Sequence, residues 1–158
     1  MKNFKLSLLD IGARDGIQWP FTSFQKNEIK LFLVEPDKEE AKKLKQTYNS
    51  DNIRVLPYAL WSSDKLLELN LTKSRGASSV YEPNIDFLNQ FPESSRFDIE
   101  KKINIEATTI DNLSLSKEID SIDFTKIDTQ GAELDILKGG KDFFMKNILG
   151  LEVEIEFC

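Results

Sequence analysis

The chain has 158 residues, of which 40% are hydrophobic and 30% charged, with a formal net charge of −6 and no histidine. That length suits one compact domain over residues 1 to 158, and the composition is that of a folded globular chain, with no run of the roughly 20 apolar residues needed to span a membrane. The acidic balance argues against a nucleic-acid partner, and the missing histidine removes the commonest metal ligand and general base, so no metal site is expected.

The amino terminus carries two lysines and then apolar residues but no small-residue cleavage site, so it leads into a first strand, LSLLDI at 6 to 11, buried on both faces. Gly12 and Gly16 punctuate the loop that follows, and a short helix is expected over about 17 to 28. IKLFLVE at 29 to 35 is a second buried strand. Pro36 and Asp37 then open a helix, with Asp37 as cap, Glu40 three residues later as in a capping box, and Ala41, Leu44 and Tyr48 on one face. Its KEEAKKLKQ stretch interleaves lysines with acids and reads as a solvated face.

IRVLPYALW at 53 to 61 predicts a third strand, and LLELNL at 66 to 71 a half-exposed one. Residues 72 to 100, rich in Ser, Pro, Asn and Asp, predict an irregular surface excursion with a helical hint at DFLNQF. KINIEATTI at 102 to 110 and IDFTKIDTQ at 122 to 130 are further strands, and GAELDILKGGKDFFM is a helix. Its expected core face is Leu134, Leu137 and Phe144, with Gly139 and Gly140 marking an end or a kink. LGLEVEIEF at 149 to 157 is another strand. Trp19, Trp61 and most of the 11 phenylalanines are assigned to the core. The one cysteine, Cys158, is the last residue, so no internal disulfide is possible and a cytoplasmic setting is expected.

Strands alternating with helices predict a doubly wound, mostly parallel α/β sheet with right-handed crossovers, whose ligands bind beyond the carboxyl ends of the strands. Asp10, Glu35 and Asp128 fall at three such ends. The loop reads D-x-G-x-x-x-G where a dinucleotide site needs G-x-G-x-x-G. A carboxylate there repels phosphate by roughly 4 kcal/mol for charges about 4 Å apart at an effective dielectric near 20. S-adenosylmethionine has the opposite electrostatics: a sulfonium, an ammonium, a ribose and an adenine, without phosphate. Glu35 lies 19 positions after Gly16, at the end of the second strand, where an acid accepts hydrogen bonds from ribose hydroxyls. The plainer alternatives are that Asp10 bonds loop N–H groups and that Glu35 is a simple strand-end acid. Tyr58 and Ala59 either border the adenine or form a turn after Leu56.

FTKIDTQGAELDILKGG, at 124 to 140, resembles the signature of the FkbM family of S-adenosylmethionine-dependent methyltransferases. There a strand ending K-[IL]-D is followed by a turn of the type x-x-G-A-E and a helix ending L-K-G. DIGARDG at 10 to 16, FLVEPD at 32 to 37, Pro-x-Ala-Leu at 57 to 60, Ser78-Ser79, ATTIDNL at 107 to 113 and LEVEIEF agree, so the similarity spans nearly the whole chain. The resemblance implies a Rossmann-like fold, S-adenosylmethionine as donor, and O-methylation of a hydroxyl on a sugar, glycan, lipid or natural product. It places Asp10, Gly12, Ala13 and Gly16 in the cofactor loop, Glu35 on the ribose, and Asp128 facing the methionine moiety and the transferred methyl.

With no histidine, Asp128 or Glu133 is the candidate catalytic base. Glu133 reads equally as a first-turn acid favoured by the helix dipole. Lys126 is a candidate buried partner for one of these acids. Two departures stand out. Arg14 occupies a position where many relatives carry Asn, so Arg14-Asp15 adds an internal ion pair or a substrate contact. The family also usually continues past LEVEIEF, so this chain is expected to lack C-terminal strands and to leave an edge open to pairing with a second copy. The competing readings are an FkbM-like interaction or cofactor-binding module without catalysis, and a nicotinamide-dependent oxidoreductase, which Asp10 in place of glycine disfavours.

Overall fold

Alternation of apolar residues sorts the strand side chains onto two faces. In the computed structural model, which describes residues 5–19, 21–24 and 28–155, the first three strands are β1 (Leu6–Ile11), β2 (Ile29–Val34) and β3 (Ile53–Leu56). Leu8, Leu31, Leu33 and Val55 share one apolar cluster with Ala41 and Leu44 of α1 (Lys38–Thr47). Leu9, Ile11, Phe32, Val34 and Leu56 face the opposite side. The cap of α1 is Asp37, whose carboxylate accepts the Glu39 N–H at 3.0 Å.

Two more strands, β7 (Phe124–Ile127) and β8 (Gly150–Val153), complete a wholly parallel sheet in the order β3-β2-β1-β7-β8. The doubly wound α/β architecture is therefore the observed one. Strand order reverses between β1 and β7, and this switch point opens a crevice beyond the carboxyl ends of β1, β2 and β7. β8 is the outer strand on that side, with Leu151 38% exposed. The end of LEVEIEF and Cys158 lie outside the described residues.

The expected strand over 53 to 61 is broken at Pro57, which has no N–H to give to a ladder. Beyond it, β4 (Ala59–Leu60) joins a second sheet in the order β4-β6-β5. There β5 (Lys65–Thr72) and β6 (Ile99–Thr108) run antiparallel. The excursion between them holds two 3-10 turns, Arg75–Ala77 and Ser94–Phe97, and a single-turn α2 (Ile85–Leu88) capped by Asn84. α3 (Ile110–Leu115) follows β6.

Three expectations need correction. The helix over 17 to 28 is absent among the described residues, where the segment forms a 3-10 turn, Phe21–Ser23, with only Phe21 buried; positions 20 and 25–27 lie outside them. The long helix is two, α4 (Glu133–Gly139) and α5 (Lys141–Asn147), divided at Gly140, where the glycine pair predicts an end or a kink. Leu137 and Phe144 pack on the core, but Leu134 is 63% exposed, because the turn before α4 sets its phase so that Ala132, Ile136 and Gly139 face the sheet. Trp61 is buried whereas Trp19, on the loop after Gly16, is 79% exposed. Of the described phenylalanines only Phe21, Phe32 and Phe143 are buried, because several others sit on the excursion, above no apolar layer. No helix among the described residues is long and apolar enough to cross a membrane.

Candidate active site

The crevice at the switch point continues as a hollow between the two sheets. Its floor is the loop after β1, where the N–H groups of Gly12 and Ala13 both donate to the Val34 carbonyl, at 3.0 and 3.1 Å. Gly12 has φ +87°, and a Cβ there would stand 1.8 Å from the Asp128 carbonyl oxygen. Only glycine lets the β1 loop and the end of β7 meet so closely.

Glu35 follows β2 and is buried at the hollow's edge. Its Oε1 accepts the Asp37 N–H at 2.8 Å and lies 3.6 Å from Nη2 of Arg14, which donates to Asp37 Oδ2 at 3.0 Å. Burial pushes the Glu35 carboxyl up to about 7, since the Arg14 charge and the Asp37 N–H offset only part of the desolvation. Arg14 therefore forms its ion pairs with Glu35 and Asp37, across the loop, rather than with Asp15.

Asp128 stands at the end of β7, where Oδ2 accepts Lys126 Nζ and Oδ1 accepts Gln130 Nε2, both at 2.9 Å. Burial works against its ionisation, but these hydrogen bonds, Lys126 foremost, outweigh it and hold the carboxyl below its usual range. Lys126 is thus the buried partner of Asp128.

The hollow brings together Gly12, Glu35, Tyr58, Ala59 and Asp128, and leaves four predicted residues behind it. Asp10 is 2% exposed and points away, because Ile11 faces the hollow and neighbouring strand residues alternate. It pairs in register with Lys126, its Oδ1 has no hydrogen-bond partner, and burial raises it to about 6 despite the Lys126 charge. Ala13 is buried in the cluster beneath β1, and Gly16 packs on Tyr48, whose hydroxyl accepts the Ile17 N–H at 3.0 Å. Glu133 locks the turn: its Oε1 accepts from Thr129 N, Thr129 Oγ1 and Gly131 N at 2.9, 2.9 and 3.1 Å.

Sequence reasoning missed the far wall. Leu67 and Leu69 of β5, Ile105 of β6, and Arg75 and Val80 of the excursion line it. The only available signal was the alternation of Leu67, Leu69 and Leu71, which marks a buried face without saying what it faces.

The methyltransferase FkbM domain family model matches residues 10–157. Over 147 residues the chain is 27% identical to the 2-O-methyltransferase NoeI of Sinorhizobium fredii (strain NBRC 101917 / NGR234), covering 88% of this chain and 59% of that protein. The fold is similar to the crystal structure of methyltransferase FkbM from Methylobacillus flagellatus KT, with a TM-score of 0.51 and 17% identity, over 87% of this chain and 29% of that one. The chain thus spans less than two thirds of either protein. The family match, which runs through every strand end that borders the hollow, carries the conclusion: the chain belongs to the FkbM methyltransferase domain family.

Proposed function

We propose that the chain binds S-adenosylmethionine in this hollow and methylates a hydroxyl of a small-molecule or glycan acceptor. The observation that carries the reading is Glu35, a buried carboxylate at the end of β2 with one oxygen held by the Asp37 N–H, as a ribose diol site requires. The other features fit the same ligand. Tyr58 and Ala59 offer a surface for adenine, and Gly12 gives the cofactor close access to backbone. The cations on the wall are already committed, Arg14 to Asp37 and Arg75 to Glu100, so neither marks a phosphate site. Similarity to a 2-O-methyltransferase supports a hydroxyl as acceptor.

The bound donor would supply a methyl group on a cationic sulfur, and the acceptor hydroxyl's proton would leave to water, so the chain's own residues mainly align the reactants and limit their solvation. Asp128, kept ionised by Lys126, is a good acceptor for an ammonium group and a weak base, so its role is to orient. Glu133 serves catalysis only by fixing the turn that carries Asp128 and Gln130.

Isothermal titration with S-adenosylhomocysteine tests the reading. Binding is expected near pH 8 and should weaken roughly tenfold near pH 6, because Glu35 must first lose its proton to accept from a diol. Glu35→Gln should weaken binding roughly 10- to 100-fold, the size of a hydrogen bond to a charged group, and flatten that pH dependence. No heat at millimolar ligand with folded protein overturns the proposal and favours a module without catalysis.

A further inference from the structure

A second hollow opens on the outer side of the turn after β7, facing the excursion between β5 and β6. Tyr81, Pro83 and Phe97 give it apolar and aromatic walls, Asn84 and Gln130 contribute amides, and Glu82 is its only charged lining residue among those described. Gln130 belongs to the walls of both hollows. Its backbone is left-handed, φ 56°, a conformation that a non-glycine residue keeps only when its surroundings hold it there. Two contacts hold it: the Ser79 hydroxyl donates to the Gln130 carbonyl at 2.6 Å, and Gln130 Nε2 donates to Asp128 at 2.9 Å. The aromatic surface also runs across the divide. Trp61 lines the inner hollow, Tyr81 the outer one, and their ring centroids are 6.2 Å apart.

We propose that this outer hollow is the acceptor subsite, and that it takes a neutral polyhydroxylated ring, stacked on Tyr81, whose reacting hydroxyl passes Gln130 toward the inner hollow. The assignment rests on the methyltransferase reading. Its chemistry follows from the lining: an aromatic face suits the C–H face of a saturated ring, the amides suit its hydroxyls, and an anionic ligand finds no cation among the described lining residues, since Lys102, outside the lining, is already bound to Glu82 at 2.7 Å and to Glu68 at 3.1 Å.

Amide chemical-shift mapping on the full chain tests this, with neutral methyl glycosides, a sugar phosphate and S-adenosylhomocysteine as separate probes. Neutral glycosides should shift the amides of Tyr81, Gln130 and Gly131, and S-adenosylhomocysteine those of Gly12 and Glu35. Tyr81→Ala should weaken the glycoside roughly tenfold, as for one lost stacking contact, with S-adenosylhomocysteine affinity changed less than about twofold. Glu82→Lys, at an exposed position, should bring the sugar phosphate into the same amides, and it carries the test alone should Tyr81→Ala fail to fold. The assignment is overturned if no neutral glycoside moves these amides, if the wild-type chain prefers the sugar phosphate, or if Tyr81→Ala weakens both ligands equally. Failure of S-adenosylhomocysteine alone to bind removes the methyltransferase reading instead.

Discussion

Asp10 and Glu35 are both buried carboxylates at strand ends, and burial raises both, yet one borders the hollow and the other does not. Under the proposed function, an incoming ribose diol repays the desolvation of Glu35. Beside Asp10 stand Lys126, which already donates to Asp128, and the like charges of Asp128 and Glu152. The Asp10 carboxyl therefore costs the ligand-free chain stability wherever it is ionised. Between its ordinary value of 3.8 and its folded value of about 6, the unfolded chain has released this proton and the folded chain retains it, so stability falls as pH rises. Asp10→Asn should match the wild type below about pH 4 and exceed it by ~3 kcal/mol near pH 8, read from urea denaturation across pH. Equal stability at both ends would show that the carboxylate is solvated or better paired.

Among elements, two close approaches decide where the site can form. Gly12 touches the carbonyl of Asp128, and a Cβ on Gly139 of α4 would stand 1.9 Å from the Trp61 carbonyl after β4, which joins the helix to the second sheet. Alanine at either position should destabilise the chain by roughly 2–4 kcal/mol, since backbone rather than a side-chain tip must move. Gly76→Ala is the control: nothing lies within 4 Å of its Cβ position, and its cost should stay within about 0.5 kcal/mol in the same thermal melts. These elements were legible to different degrees. The strands that border the site, LSLLDI, IKLFLV and FTKI, showed in the sequence because each is a short apolar run closed by a turn signal. The division of α4 from α5 was visible as a glycine pair, but the phase that exposes Leu134 is set by Glu133 tying down the preceding turn.

For the molecule as a whole, the larger apolar cluster spans both sheets, with Leu9, Ile11 and Phe32 from one and Leu69, Leu71 and Ile105 from the other. The second sheet is thus part of the main core. Ile105→Ala should cost roughly 2–4 kcal/mol and shift one common transition, with far-ultraviolet dichroism and Trp61 fluorescence in a Trp19→Phe background melting together. Separate transitions would make the second sheet an independent unit. The acids at the ends of β1, β2 and β7, the glycines between them and the alternation of strand and helix were all readable along the chain, because period, turn chemistry and charge act over a few neighbours. The facing of Asp10 away from the crevice, the Arg14 bridge to Glu35 and Asp37, and the far wall supplied by β5, β6 and the excursion depend on pairings between segments tens of residues apart. No local pattern encodes such pairings: they are selected by how two sheets close over one core.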